Sequence, residues 1–259
     1  MTPLTGLQTQ LQIIHALVLR ESRTRYGAHQ LGYIWALLEP LFWVLTFYGL
    51  FYFANRNVPY GMDIVSFITT GIIPYLLFRE TLTKSLNAIP ANKALLFYPQ
   101  IRPLDLIIAR SSLEIVTLVT VFAIIMGGHS LYVGELRIDN LLNVMVGLML
   151  ASLLGAALGI FFSSLSVYSK MIDRVVPLMM RPLFFISGLF FTANELTGQV
   201  REILIWNPVP HAVELVRDGW FNTYHAHYLD ISYLVFWILG FAYAGLIIER
   251  LARRRLELT

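Results

Sequence analysis

Residues 141–168 read LLNVMVGLMLASLLGAALGIFFSSLSVY and contain no aspartate, glutamate, lysine or arginine. About 20 apolar residues in a helix cross roughly 30 Å of hydrocarbon, so this stretch is long enough and clean enough to span a bilayer. Composition agrees with that solvent. The 259-residue chain is 57% hydrophobic with a mean hydropathy of +0.65, and its charged share is 14%, against about 25% in soluble domains. Such a chain cannot cover itself with polar surface in water, which argues against a soluble enzyme, and disorder needs the opposite composition. The excess of basic over acidic groups is only +3, too small for a polyanion groove, so no nucleic acid is expected as a partner. The absence of cysteine excludes disulfides, thiolate metal sites and cysteine nucleophiles together.

Five further apolar runs lie outward from this stretch. Leu31–Ala54 is aromatic and carries Glu39. Ile64–Leu82 is interrupted by Gly71 and Pro74, and Leu104–Gly128 holds Asp105, Arg110 and Glu114 in its first half. Val175–Ala193 contains Pro177, Arg181 and Pro182, and Ile231–Ile248 closes on Glu249 and Arg250. The expected fold is an all-α polytopic membrane protein with six transmembrane helices, one domain over residues 1–259. Residues 1–30 form a cytoplasmic interface helix, 31–248 the bundle and 249–259 a cytoplasmic tail. No apolar segment with a small-residue cleavage site marks a signal peptide, so the mature chain is expected to start near Met1. With the N-terminus inside, inner segments hold 15 of the Lys and Arg residues and outer segments 4, which puts both termini in the cytoplasm. The net charge then divides into +7 inside and −4 outside, since each side also carries 8 acids. A basic inner side suits an anionic cargo.

The segments between spans carry further signals. Residues 7–25 place Leu7, Leu11, Ile14 and Val18 on one helical face and end in Arg20, Glu21, Arg23 and Arg25. Such a helix either lies in the interface with its arginines on lipid phosphates or simply orients the first span. The inner loop 84–103 is expected to hold a short helix through residues 88–96. Its Leu96 and Phe97 need a partner or the membrane face to cover them. The outer connection 192–230 is expected to form two short re-entrant helices, near Val200–Ile205 and Ala212–Phe221, with Trp206, Trp220 and Tyr224 at the interface. Ala151, Gly155, Gly159 and Ser163 recur every four residues and allow close helix approach, within the chain or between copies. Asp105, Arg110 and Glu114 are spaced to pair along one helix face.

Catalytic signatures are missing from the sequence. There is no Gly-x-x-x-x-Gly-Lys-Ser/Thr loop, no Gly-x-Ser-x-Gly elbow and no His-Glu-x-x-His. His225 and His227 have no third ligand nearby in sequence. No catalytic residue, metal or cofactor is therefore expected in this chain. Attention shifts to the charges inside spans, Glu39 and Arg181, which are costly in lipid and face a bundle interior or a wet cavity. Aromatic faces offered by Trp35, Trp43, Tyr48, Phe184, Phe185 and Phe190 suit sugar rings, and equally suit ordinary packing.

Several strings carry a family resemblance. They are Leu19-Arg20-Glu21-x-Arg23-Thr24-Arg25-Tyr26-Gly27 followed by Leu31-Gly32-Tyr33-x-Trp35-Ala36-x-x-Glu39-Pro40; Leu96-Phe97 with Arg102-Pro103-x-Asp105-x-Ile107-Ile108-Ala109-Arg110; Arg181-Pro182-Leu183-Phe184-Phe185-Ile186-Ser187; and Trp206-Asn207-Pro208-x-x-His211-x-x-Glu214-Leu215-x-Arg217. Together they resemble ABC-2 type polysaccharide-export permeases, and within them the capsular-polysaccharide permeases of the KpsM family. O-antigen and teichoic-acid permeases share the N-terminal string.

The resemblance implies a homodimer of permease chains joined by two ATPase subunits that hold the ATP and Mg. Its cargo would be a lipid-linked acidic polysaccharide leaving the cytosol, with a periplasmic adaptor or co-polymerase and an outer-membrane channel completing the route. It places the chain in a bacterial inner membrane. Mapped onto this sequence, Arg20, Arg23, Arg25, Glu39 and Arg181 form a lipid-intake gate, and the six aromatics named above line a canal. Asn92, Lys93, Leu96, Phe97 and Tyr98 form the ATPase coupling element. Trp206, His211, Glu214, Arg217 and Trp220 form a periplasmic gate. A membrane-embedded lipid- or sugar-processing enzyme is the alternative from another class, supported by the intramembrane acids alone.

Overall fold

Prolines and short polar caps set the helix boundaries in the computed structural model, which describes residues 3–26, 32–59, 61–98, 100–134 and 138–256. Of helical residues 3–5, 7, 25–26, 32–33 and 252–256 only the backbone is described. All regular elements among the described residues are helical: α1 (Pro3–Tyr26), α2 (Gly32–Phe53), α3 (Ile64–Leu86), α4 (Ala88–Ala91), α5 (Pro103–Val133), α6 (Leu141–Ser166), α7 (Ile172–Phe185), α8 (Gly198–Ile205), α9 (Pro208–Trp220) and α10 (Ile231–Leu256). Two 3₁₀ turns, Lys93–Phe97 and Ala193–Glu195, join them. Asp63 caps α3 by accepting from the Ser66 N–H at 2.8 Å. Pro103 opens α5 behind a capping box in which Asp105 accepts from the Arg102 N–H at 2.8 Å, and Gly134 closes it at φ 80°.

α3 is the axis of the bundle. Every residue from Ser66 to Phe78 is buried, including Thr69 and Thr70, whose hydroxyls donate back to carbonyls one turn earlier at 2.7 Å. α6 packs along α3 through the small-residue stripe. At Gly155 a methyl group would run into the Phe78 carbonyl, and at Gly159 into the Ser85 side chain. The stripe therefore serves packing within the chain. α10 and α9 cover other sides of α6, and α5 closes against α3.

Four helices among the described residues are long and apolar enough to cross a membrane: Ile34–Phe53, Pro103–Val133, Leu141–Ser166 and Ile231–Leu251. They match the first, third, fourth and sixth expected spans. The second coincides with α3, which is long but carries Arg79, Glu80 and Lys84 in its last turns. The fifth differs from expectation. α7 stops at Phe185 after 14 residues, about 21 Å at 1.5 Å per residue. Beyond it residues 186–192 turn, with Gly188 at φ 78°.

A second, smaller core binds α1 to the start of α5 and to α4. It contains Leu17, Ala88, Leu106, Ile107 and Ala109, edged by Ile13, Val18 and Leu96. The buried seam of α1 thus runs through Ile13 and Leu17, whereas Leu11 on the expected apolar face is 57% exposed. Polar ties reinforce the seam. Gln10 donates to Asp105, and Arg110 forms an ion pair with Glu21 at 2.9 Å while donating to the Asn87 carbonyl at 3.1 Å. Asp105 and Arg110 are accordingly committed to α1 and the loop, not to each other.

Candidate translocation and coupling sites

Aromatic side chains from α2 and α7 meet above α3. Phe184 is the hub: Trp43 and Phe47 lie 5.6 Å from its ring, Tyr75 5.2 Å, Phe185 5.3 Å and Phe190 5.4 Å. Phe184 itself is buried, so it acts as packing between helices, whereas Phe185 is 63% exposed. The Tyr75 hydroxyl donates to the Met180 carbonyl at 2.5 Å and pins α7 to α3. Below this cluster opens a cleft of about 460 Å³ with an aromatic wall of Trp43, Phe47, Phe184 and Phe185 and a polar floor of Arg79, Glu80 and Arg181. Arg79 donates twice to Glu80, at 2.6 and 3.0 Å, and Lys84 approaches the same carboxylate at 3.8 Å. Arg181 is exposed and has no partner among the described residues, which leaves the cleft a spare positive charge.

Trp35 and Glu39 sit further along α2 on its exposed face, Trp35 at 70% exposure. Tyr48 is not part of the cleft. It stacks on Tyr52 at 6.2 Å and lines an apolar groove between α2 and α5. Of the six expected canal aromatics, then, Trp43, Phe184, Phe185 and Phe190 are brought together, while Trp35 and Tyr48 stand apart.

The string from Trp206 to Arg217 folds into a lock around the break after α7. Arg217 is fully buried. Its guanidinium donates to the carbonyls of Gly188 at 2.6 Å, Phe191 at 2.8 Å and Leu189 at 2.9 Å. It lies 4.2 Å from the Phe67 ring centre and 3.5 Å from Glu214. Gly71 on α3 leaves room for it, since a Cβ there would stand 2.9 Å from both the Arg217 Nη2 and the Leu189 oxygen. Glu214 accepts from the Ala193 N–H at 3.3 Å and from the Tyr224 hydroxyl. Asn207 caps α9 and donates to the Ile186 carbonyl at 3.1 Å.

His211 accepts from the Asp230 N–H through Nδ1 at 3.0 Å. Its Nε2 therefore carries the proton and donates to the Ile205 carbonyl at 2.9 Å. Burial lowers its pKa, in agreement with a neutral ring. Trp220 is buried edge-on to Phe122 at 5.9 Å, and of the five expected gate residues only Trp206, 77% exposed, faces outward.

The expected coupling element is two pieces, α4 and the 3₁₀ turn, broken at Asn92. Asn92 is buried; its amide donates to the Ala88 carbonyl at 3.0 Å and its oxygen accepts from Arg20 at 2.8 Å. Leu96 is half-buried in the smaller core. Lys93, Phe97 (88% exposed) and Tyr98 (60% exposed) form the outward face. Arg23 is exposed on α1, and the side chain of Arg25 lies outside the described residues.

The chain matches the ABC-2 type transporter family model over residues 12–221. The protein belongs to that family. It is 32% identical over 247 residues to the polysialic acid transport protein KpsM of Escherichia coli, covering 95% of each chain. It is 28% identical over 248 residues to the capsule polysaccharide export inner-membrane protein CtrC of Neisseria meningitidis, covering 92% of each. With the Haemophilus influenzae protein BexB, of the same description, it shares 25% over 246 residues, covering 95% of this chain and 92% of that one. Members of the ABC-2 family are transport permease subunits, and this permease aligns with its relatives almost end to end.

Sequence reasoning missed the cleft floor, Arg79 and Glu80, and the lock residue Asn207. A signal existed for the first: Glu80 precedes Lys84 by four residues, the spacing of a helical ion pair, which carries the expected second span past Leu82 into the last turn of α3.

Proposed function

We propose that the chain is the transmembrane permease of an ATP-driven exporter that carries lipid-linked acidic capsular polysaccharide across a bacterial inner membrane. The observation that carries this reading is the cleft between α2, α3 and α7, which joins aromatic walls to an arginine with no partner among the described residues. Sugar rings and an acyl tail suit the walls, and an anionic head suits Arg181 and Arg79. The sequence has no P-loop, so energy comes from partner ATPase subunits, docked on Lys93, Phe97 and Tyr98. Large exposed aromatics at a helix turn favour a protein partner. Two copies complete the path, with α3 as the second and α7 together with the turned segment that follows it as the fifth of six spans, and both termini cytoplasmic. Arg20 ties α1 to Asn92, which makes it a strut of the coupling unit, and Arg23 faces outward on that helix. A periplasmic adaptor and an outer-membrane channel receive the polymer.

Deleting the gene is expected to trap polymer in the cytosol; unchanged surface polymer with no internal build-up would count against the reading. Complementation with Phe97→Asp and Tyr98→Asp is expected to restore membrane levels of the permease while lowering export about ten-fold, because an aromatic anchor at an interface typically contributes about 2 kcal/mol or more. Full export with undiminished ATPase co-purification would reject the docking role.

A further inference from the structure

Glu39 and Arg181 are opposite charges on exposed faces of helices that sit side by side. The contacts with α3 set their level: Trp43 and Tyr75 both meet Phe184, while nearer the start of α3 Phe67 meets Phe51 and Gly71 lies against Leu189 just past α7, so α2 and α7 both run opposite to α3 and in the same direction as each other. Glu39 lies one turn before Trp43, and Arg181 about one turn before Phe184. Both therefore occupy one depth in the bundle. Glu39 shares the outward face of α2 with Trp35, Phe42 and Thr46, and neither charge has an ion-pair partner among the described residues. A lone carboxylate or guanidinium facing hydrocarbon is expensive, so this face is not a lipid face.

We propose that Glu39 of one copy pairs with Arg181 of a second copy, and the reverse, across a two-fold axis beside the α2–α7 seam. The inference rests on the two-copy permease reading above. An isologous contact places each residue of the pair on its counterpart twice, so one symmetric interface neutralises all four charges. The two pairs brace the inner half of the path, and an arriving anionic head competes with Glu39 for Arg181.

Charge reversal separates this arrangement from a pair within one chain. Glu39→Arg alone and Arg181→Glu alone are each expected to lower export about ten-fold through like-charge contacts. Co-expressing the two single variants, differently tagged, is expected to recover export to about half of normal. Only in the mixed dimer do opposite charges face each other, and within each separate chain they repel. Recovery by the double swap in one chain but not by co-expression would place the pair within the chain and overturn the proposal. Unimpaired export by either single variant would also overturn it.

A second readout does not depend on transport. The chain has no cysteine, so one tagged copy with Glu39→Cys and another with Arg181→Cys can be joined by a short bifunctional thiol reagent only between copies. A covalent heterodimer is expected. Its absence, when the two tags co-purify, rejects the pair; tags that never co-purify reject the two-copy reading itself.

Discussion

Arg217→Met is expected to destabilise the permease by about 3–5 kcal/mol, the range for removing one partner of a buried ion pair. The substitution leaves Glu214 buried without its cation and strands the carbonyls of Gly188, Leu189 and Phe191, all within 2.9 Å of the guanidinium. Each unpaired buried acceptor adds a cost of about 1–3 kcal/mol unless the segment moves to find water. That movement would carry Phe190 away from Phe47 and open the aromatic cluster above the cleft. Arg217→Lys is expected to fail nearly as badly, because an ammonium is a single point charge and cannot reproduce two nitrogens serving three carbonyls. Thermal unfolding of the detergent-purified protein, with membrane abundance alongside, measures both variants. A melting temperature unchanged by Arg217→Met would show that the lock contributes nothing to stability.

Gly155→Leu is expected to be the next most damaging change. The first added carbon would collide with the Phe78 carbonyl and lie 3.1 Å from the Thr81 Cβ. Phe78 and Thr81 are themselves buried, so the strain falls on α6, which must shift. Overpacking of this kind costs about 1–3 kcal/mol and sometimes more. Gly127→Leu in α5 provides the contrast, since nothing stands within 4 Å of the position its Cβ would take. The expected result is loss of folded permease for the first variant and near-normal yield for the second. Stable monomers from Gly155→Leu would instead assign the small-residue stripe to contacts between copies.

Hydropathy made α2, α5, α6 and α10 legible because each exposes apolar surface along its length. α3 was harder to read for the opposite reason. Its neighbours absorb Thr69, Thr70, Thr81 and Ser85, so its sequence need not look like a lipid-facing helix. The length of α7 depends on Arg217, far along the chain, which gathers the carbonyls of the segment that turns away beyond Phe185. No local pattern announces that. On α1 the apolar stripe Leu7, Leu11, Ile14 and Val18 was visible, and Val18 edges the seam that binds α5, but the seam is built on Ile13 and Leu17 with Gln10 and Glu21, a choice made by the partner surface. For the site, the string Trp206 to Arg217 was readable as a unit, and its role as a lock emerged only from the burial of His211, Glu214, Arg217 and Trp220.

The enclosure of α3 also bears on how the molecule is made. α3 leaves the ribosome early, carrying Arg79, Glu80 and Lys84 near its end and a row of hydroxyls along its length. The helix that shields its longest side, α6, is synthesised only after α5 is complete. On the six-span reading proposed above, residence of α3 in the bilayer is a property of the finished bundle: the chain must hold its own centre in waiting until the later helices arrive to wrap it.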